Sequence, residues 1–265
     1  MKRIISASYK DDTPAFHSEE FFDAYNKGYI FIPSKAGQRH ISLKPEDVYA
    51  IVFWTKNPSD HFIHNMDSLR SPFYIQWTLT GYDKDIERNL PLKTDLVERF
   101  RAVSALLGPN RVIWRYDPIF VSDKYSVRWH KLAFEQLCEH LEGATTKVVI
   151  SFMDEYNKIA DLVKKGVMRA PTREEVYELS AFMAETATKH HMTVQTCSEQ
   201  DYDLTAYGIH EAPCIDADFI EKEFGITVPE ELKKSNSFRR CLCAVNTDIG
   251  QYHRCLHGCE YCYAK

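Results

Sequence analysis

The sequence predicts an α/β protein, an incomplete TIM-like (β/α)6 barrel followed by a cysteine-rich irregular segment. Three observations predict it. Apolar, β-branched runs alternate with helix-like stretches over the first 200 residues, the beat of parallel strands with helices outside them. Several strands carry polar residues on one face, where an open parallel sheet is normally apolar on both. Of the eight cysteines, only Cys138 lies in the first 190 residues.

The elements follow in chain order. Residues 4–8 form the first strand, with Ser6 and Ser8 on one side. Ser18 precedes a helix through Glu19, Glu20, Phe21 and Phe22 that stops at Gly28. The second strand is 49–55, and Pro58 marks the first turn of the next helix. In the third strand, 73–80, Gln76, Thr78 and Thr80 share one face and Ile75, Trp77 and Leu79 the other. A helix over 96–107 ends at Gly108-Pro109, and in the fourth strand, 111–116, Arg115 lies on the face of Asp117, spaced to pair with it. Cys138 shares a helical stripe with Phe134, Leu137 and Leu141, which makes it a small core residue. The fifth strand is 147–153. Thr172-Arg173-Glu174-Glu175 is a capping box for a helix with Val176, Leu179 and Met183 on one side. The sixth strand, 192–197, offers Thr193, Gln195 and Cys197 and runs on to Glu199. Residues 1–200 are thus the barrel and 201–265 a cysteine-rich segment packed on it as one structural unit.

Composition narrows the class. With 265 residues, 44% hydrophobic and 27% charged, the chain buries a full core and is not disordered. A net charge of -5 argues against nucleic acid, and the Lys233, Lys234, Arg239, Arg240 cluster reads as a solvated surface. No apolar run has membrane-spanning length, so no membrane partner is expected. Without a signal peptide, eight cysteines point to the cytoplasm, where such clusters are metal sites more often than disulfides.

Lys56-Asn57, Gly81-Tyr82, Asp117-Pro118, Asp154 and Ser198-Glu199 sit where strands give way to loops, the face on which barrel enzymes place their chemistry. With Gln76, Thr78, Thr80, Arg115 and Gln195 they suggest a polar lumen. Each of these residues also reads as ordinary solvation or capping.

Cys255, Cys259 and Cys262 form a C-x3-C-x2-C loop. Three thiolates on a four-iron cubane leave one iron open to an exogenous ligand. The spacing and its tyrosines resemble the cluster loop of radical S-adenosylmethionine enzymes, although there the loop normally follows the first strand. A closed zinc site completed by His253 or His257 is the alternative. Cys197, Cys214, Cys241 and Cys243 form either a second site, zinc or iron-sulfur, or a scatter of reduced thiols.

The strings Phe53-Trp54-Thr55-Lys56-Asn57-Pro58, Thr78-Leu79-Thr80-Gly81-Tyr82, Trp114-Arg115-Tyr116-Asp117-Pro118-Ile119, Gln195-Thr196-Cys197-Ser198-Glu199, Cys214-Ile215-Asp216 and Asp248-Ile249-Gly250, with the terminal loop, resemble the domain of unknown function 1848 family nearly end to end. That family is discussed beside radical S-adenosylmethionine proteins of the spore photoproduct lyase kind. The resemblance implies a [4Fe-4S] cluster at Cys255, Cys259 and Cys262, with Cys197, Cys214, Cys241 and Cys243 in the shared pattern. It supplies no substrate. The expected function is a radical enzyme that generates a 5′-deoxyadenosyl radical from S-adenosylmethionine, served by an electron donor such as flavodoxin or ferredoxin. Lys56, Thr80, Arg115, Asp117 and Glu199 are the candidates for binding the cofactor. Two other readings stand beside it. One is a hydrolase or isomerase of a small polar metabolite with structural metals; the other is a redox or metal sensor without turnover.

Overall fold

A computed structural model describes residues 2–34, 37–154, 159–234 and 241–264 of the chain. Its first elements are β1 (Arg3–Ala7), α1 (Thr13–Phe16), α2 (Ser18–Lys27), β2 (Tyr29–Ser34), β3 (Gly37–Ser42), β4 (Val48–Thr55) and α3 (Asp60–Asn65). Next come β5 (Phe73–Thr78), α4 (Lys93–Leu107), β6 (Val112–Ile119), α5 (Val127–Leu141), β7 (Lys147–Phe152), α6 (Ala160–Lys164) and α7 (Arg173–Lys189). The last are β8 (Thr193–Thr196), β9 (His210–Glu211), α8 (Ala217–Phe224), α9 (Glu230–Lys233) and β10 (Asn246–Asp248).

The helices form where caps and apolar stripes coincide. In α2, Phe21, Phe22 and Tyr25 are buried, and Gly28, at φ +83°, closes the helix by donating to the carbonyls of Ala24 and Tyr25. The expected capping box is present: Thr172 and Glu175 exchange side-chain and backbone bonds at the start of α7, which buries Val176, Leu179 and Met183. Cys138 lies with Phe134, Leu137 and Leu141 on the buried side of α5. Pro58 is not in the first turn of α3. Ser59 caps that helix by accepting from Phe62 N, so the proline stands just outside it.

Two compact units result. One comprises Met1–Gln76, Pro213–Leu256 and Ala264–Lys265, the other Trp77–Ala212 and His257–Tyr263. In the first, β1 pairs in parallel with β4 on one side and with β10 on the other. That unit also holds the antiparallel β2–β3 hairpin, which the sequence reading did not expect. In the second unit, β6, β7, β8 and β9 pair in parallel in that order.

The strand order is β10-β1-β4-β5-β6-β7-β8-β9, a mixed α/β fold with eight sheet strands flanked by helices, where six had been expected. The order ends on two edges, and no closed barrel is seen among the described residues. Both edge strands are very short, which limits the unpaired backbone they present. Among the described residues no helix is long and apolar enough to cross a membrane. Arg239 and Arg240 of the expected basic cluster lie outside the described residues.

Candidate functional site

The polar residues of the strand ends are drawn together by buried carboxylates. In the first unit the centre is Asp248, at the end of β10. It accepts from Ser6 Oγ at 2.9 Å, Ser8 Oγ at 2.9 Å, Tyr9 N at 3.2 Å and Gly250 N at 3.1 Å, and it pairs with Lys10 Nζ at 3.2 Å. Trp54 Nε1 donates to Ser6 Oγ at 3.2 Å. The Asp-Ile-Gly string has a steric reason as well: a Cβ on residue 250 would overlap Ser8 Oγ. Nearby, burial raises the Asp11 carboxyl above its ordinary value, although Gln251 N donates to it at 2.9 Å. Lys56, a candidate for binding the cofactor, is half-buried, and its backbone N donates to Asp12 Oδ2 at 2.7 Å.

The first unit also gathers cysteines. Cys214 is buried just before α8, and its carbonyl accepts from Tyr74 Oη at 2.7 Å and Gln76 Nε2 at 2.8 Å. The Cys243 thiol is within hydrogen-bonding reach of both the Cys214 and the Cys241 thiols. Ile215 N reaches Cys243 Sγ at 3.4 Å, and Cys243 N reaches Cys241 Sγ at 3.5 Å. The bond with Cys214 lowers the Cys243 pKa, but the bond with Cys241 and burial outweigh it and push the thiol up to about 11. Gln76 is 1% exposed, and its Oε1 accepts no hydrogen bond among the described residues. Of the four cysteines expected to converge, Cys214 and Cys241 each lie next to Cys243. Cys197 belongs to the second unit and is half-buried after β8.

In the second unit the terminal loop is clamped by backbone. Glu87 and Cys259 form an antiparallel bridge, Glu260 N donates to Ile86 O at 2.9 Å, and Asn89 N donates to His257 O at 3.1 Å. Gly258 turns the loop at φ +68°, and Cys262 N donates to Cys259 O at 3.3 Å. Cys259 is buried in an aromatic cluster with Tyr82, Phe120, Tyr125 and Tyr261, and Cys262 packs against its edge. Cys255 falls in the first unit and is half-buried.

The remaining expected residues of the second unit are distributed over strand ends. Thr80 is 1% exposed and donates to Glu87 Oε1 at 3.0 Å. Arg115, buried in β6, forms the expected ion pair with Asp117. Glu199 accepts from Ser151 Oγ at 2.9 Å and Phe152 N at 2.8 Å, both on Oε1. Burial pushes its carboxyl up to about 7 against those two bonds, with Asp154 and Asp117 adding to the rise. Thr78 and Gln195 are half-buried.

Two hollows in this unit, about 890 and 670 Å³, are lined by other residues. The larger lies along α4 and α5 by Lys93, Trp129 and Leu137, the smaller by Ser126, Arg128 and Arg169. Neither includes Gln76, Thr78, Thr80, Arg115, Asp117, Gln195 or Glu199, the residues expected to line a lumen.

All eight cysteines are thiols. Among the described residues no group of three or more His, Cys, Asp or Glu side chains is arranged to hold a metal ion. Glu87 and Asp248 were missed as centres of the polar networks. Only the Asp248-Ile249-Gly250 string signalled either of them in the sequence.

The sequence model of one family, Domain of unknown function (DUF1848), matches residues 4–264. Comparison with curated proteins gives no match.

Proposed function

The chain belongs to the DUF1848 family, whose description assigns no activity, and from that premise we propose a cytoplasmic iron-sulfur protein, a radical S-adenosylmethionine enzyme acting on a substrate still to be identified. The observation that carries the reading is the convergence of the Cys214, Cys241 and Cys243 thiols, which come from two separate stretches of chain and form no disulfide. The donor type suits iron and sulfide, since thiolates are the ligands such clusters take, while among the described residues no three of these side chains are yet arranged around a common metal position. On the terminal loop, the clamped turn holds Cys259 within an aromatic cluster and Cys262 against its edge.

Cys255, Cys259 and Cys262 would hold a [4Fe-4S] cluster, and Cys214, Cys241 and Cys243, with Cys197, a second cluster or a zinc ion. When bound, the first group supplies one-electron reduction and an open iron for S-adenosylmethionine. The chain's own residues supply charge and orientation: the Arg115 guanidinium, held by Asp117, and Lys56 suit carboxylate or phosphate groups, and Glu199 and Thr80 suit hydroxyls and amines. The sheet would curve as an incomplete barrel, and flavodoxin or ferredoxin would deliver the electron.

Anaerobic reconstitution with iron and sulfide tests this. The wild-type protein is expected to take up both and to absorb in the visible, and alanine at Cys255, Cys259 and Cys262 should remove one cluster's worth. Stoichiometric zinc without sulfide, unaffected by that triple substitution, would overturn the terminal-loop assignment. The same thiol convergence also serves a structural zinc in a hydrolase or isomerase. Zinc lost on changing Cys214, Cys241 and Cys243, with no cleavage of S-adenosylmethionine under reducing conditions, would favour that reading.

A further inference from the structure

Glu87 is a buried carboxylate with no assigned role. It is 1% exposed and lies beyond β5, in the stretch that bridges to Cys259. A carboxylate is costly to take out of water unless donors surround it. Here Oε1 accepts from Thr80 Oγ1 at 3.0 Å and from Tyr261 Oη, while Oε2 pairs with Lys93 Nζ. Three donors on two oxygens are what an ionised carboxylate takes. Tyr261 sits between Cys259 and Cys262 in the sequence, and its hydroxyl donates to Glu87 Oε1. The backbone bridge aligns the start of the loop, and the side-chain bond from Tyr261 to Glu87 adds a fixed point further along the turn.

We infer that Glu87 is the positioning residue of the terminal cysteine loop: through Tyr261 it locks the Cys259–Cys262 turn, and it places a buried negative charge beside those two thiols. The inference rests on the proposed cluster only for the effect of the charge. The lock holds with or without metal. A negative charge close to a thiolate-bound cluster disfavours its reduction, so neutralising Glu87 raises the midpoint potential.

The test uses the full chain with Glu87→Gln, Glu87→Ala and Tyr261→Phe. In metal-free protein, alkylation of Cys259 by iodoacetamide is expected to speed up by about tenfold or more in Glu87→Ala and Tyr261→Phe, since each loses a hydrogen bond involving a charged group. Cys138, fully buried in α5, should not react faster and so reports global unfolding. Glu87→Gln, which keeps an acceptor for Tyr261, should restore slow alkylation yet raise the potential of the reconstituted protein. Unchanged Cys259 alkylation in both Glu87→Ala and Tyr261→Phe, or equal acceleration at Cys138, overturns the lock. An unchanged potential in Glu87→Gln overturns the role of the charge. Failure of the wild type to take up iron and sulfide defeats the cluster reading, and the alkylation rates still decide the lock.

Discussion

Asp248 and Glu87 are both buried carboxylates, one in each unit, and they are satisfied in different ways. Asp248 takes two serine hydroxyls, two backbone N–H groups and one ammonium, so most of its donors are short or part of the main chain. The donors to Glu87 include the side chains of a threonine, a tyrosine and a lysine. The first pattern welds strand ends and leaves no slack, since even a methyl group at residue 250 would collide with Ser8. The second holds a loop by the tip of one long side chain. A buried charge can therefore serve as a structural weld or as a handle on a functional segment, and the origin of its donors tells which.

Gly250→Ala should break the weld. Its Cβ would force Ser8 off Asp248, and about 3 kcal/mol of unfolding free energy should be lost in urea titration. A loss below about 1 kcal/mol would mean the strand ends can yield, and the contrast with Glu87 would disappear.

Glu199 sharpens the comparison because among the described residues it has two donors, both on one oxygen, and burial dominates. Its carboxyl is raised from 4.5 to about 7 in the folded state, so the folded chain holds the proton more tightly than the unfolded chain. Its contribution to stability is fully present below pH 4.5 and is lost as pH rises through about 7. That amounts to about 3 kcal/mol at most. Glu199→Gln should flatten this part of the stability–pH curve, measured by denaturant midpoints across that window. An unaltered curve would show that the carboxyl is solvated.

Thr80→Val should have the smallest effect, about 1 kcal/mol, because Glu87 keeps Tyr261 and Lys93. A loss as large as that of Gly250→Ala would place Glu87 with Asp248 as a weld.

Much of the fold was legible in advance. The strands near residues 4–8, 49–55, 73–80, 111–116, 147–153 and 192–197 all appear, with no end shifted by more than three residues. The β2–β3 hairpin was missed because Gly37-Gln38-Arg39-His40 is exposed and polar, with no alternation to read. The strands β9 and β10 have two and three residues, too few for any period. The Arg115–Asp117 pair was legible because both residues lie on one strand. Glu87 was not, since its partner Tyr261 is 174 residues away, and Ser8 and Asp248 are 240 apart.

By itself the sequence determined what is local: the helix caps, the apolar stripes, the parallel beat of strands and helices, and two sets of cysteines. Those signals act over a few residues, where backbone geometry and side-chain periodicity repeat. Tertiary structure decided what depends on distant partners. It gave the sheet two edges, brought Cys214 to Cys243, and chose Asp248 and Glu87 as the buried charges. A carboxylate's worth depends on which donors surround it after burial, and the chain supplies those donors only once it has folded.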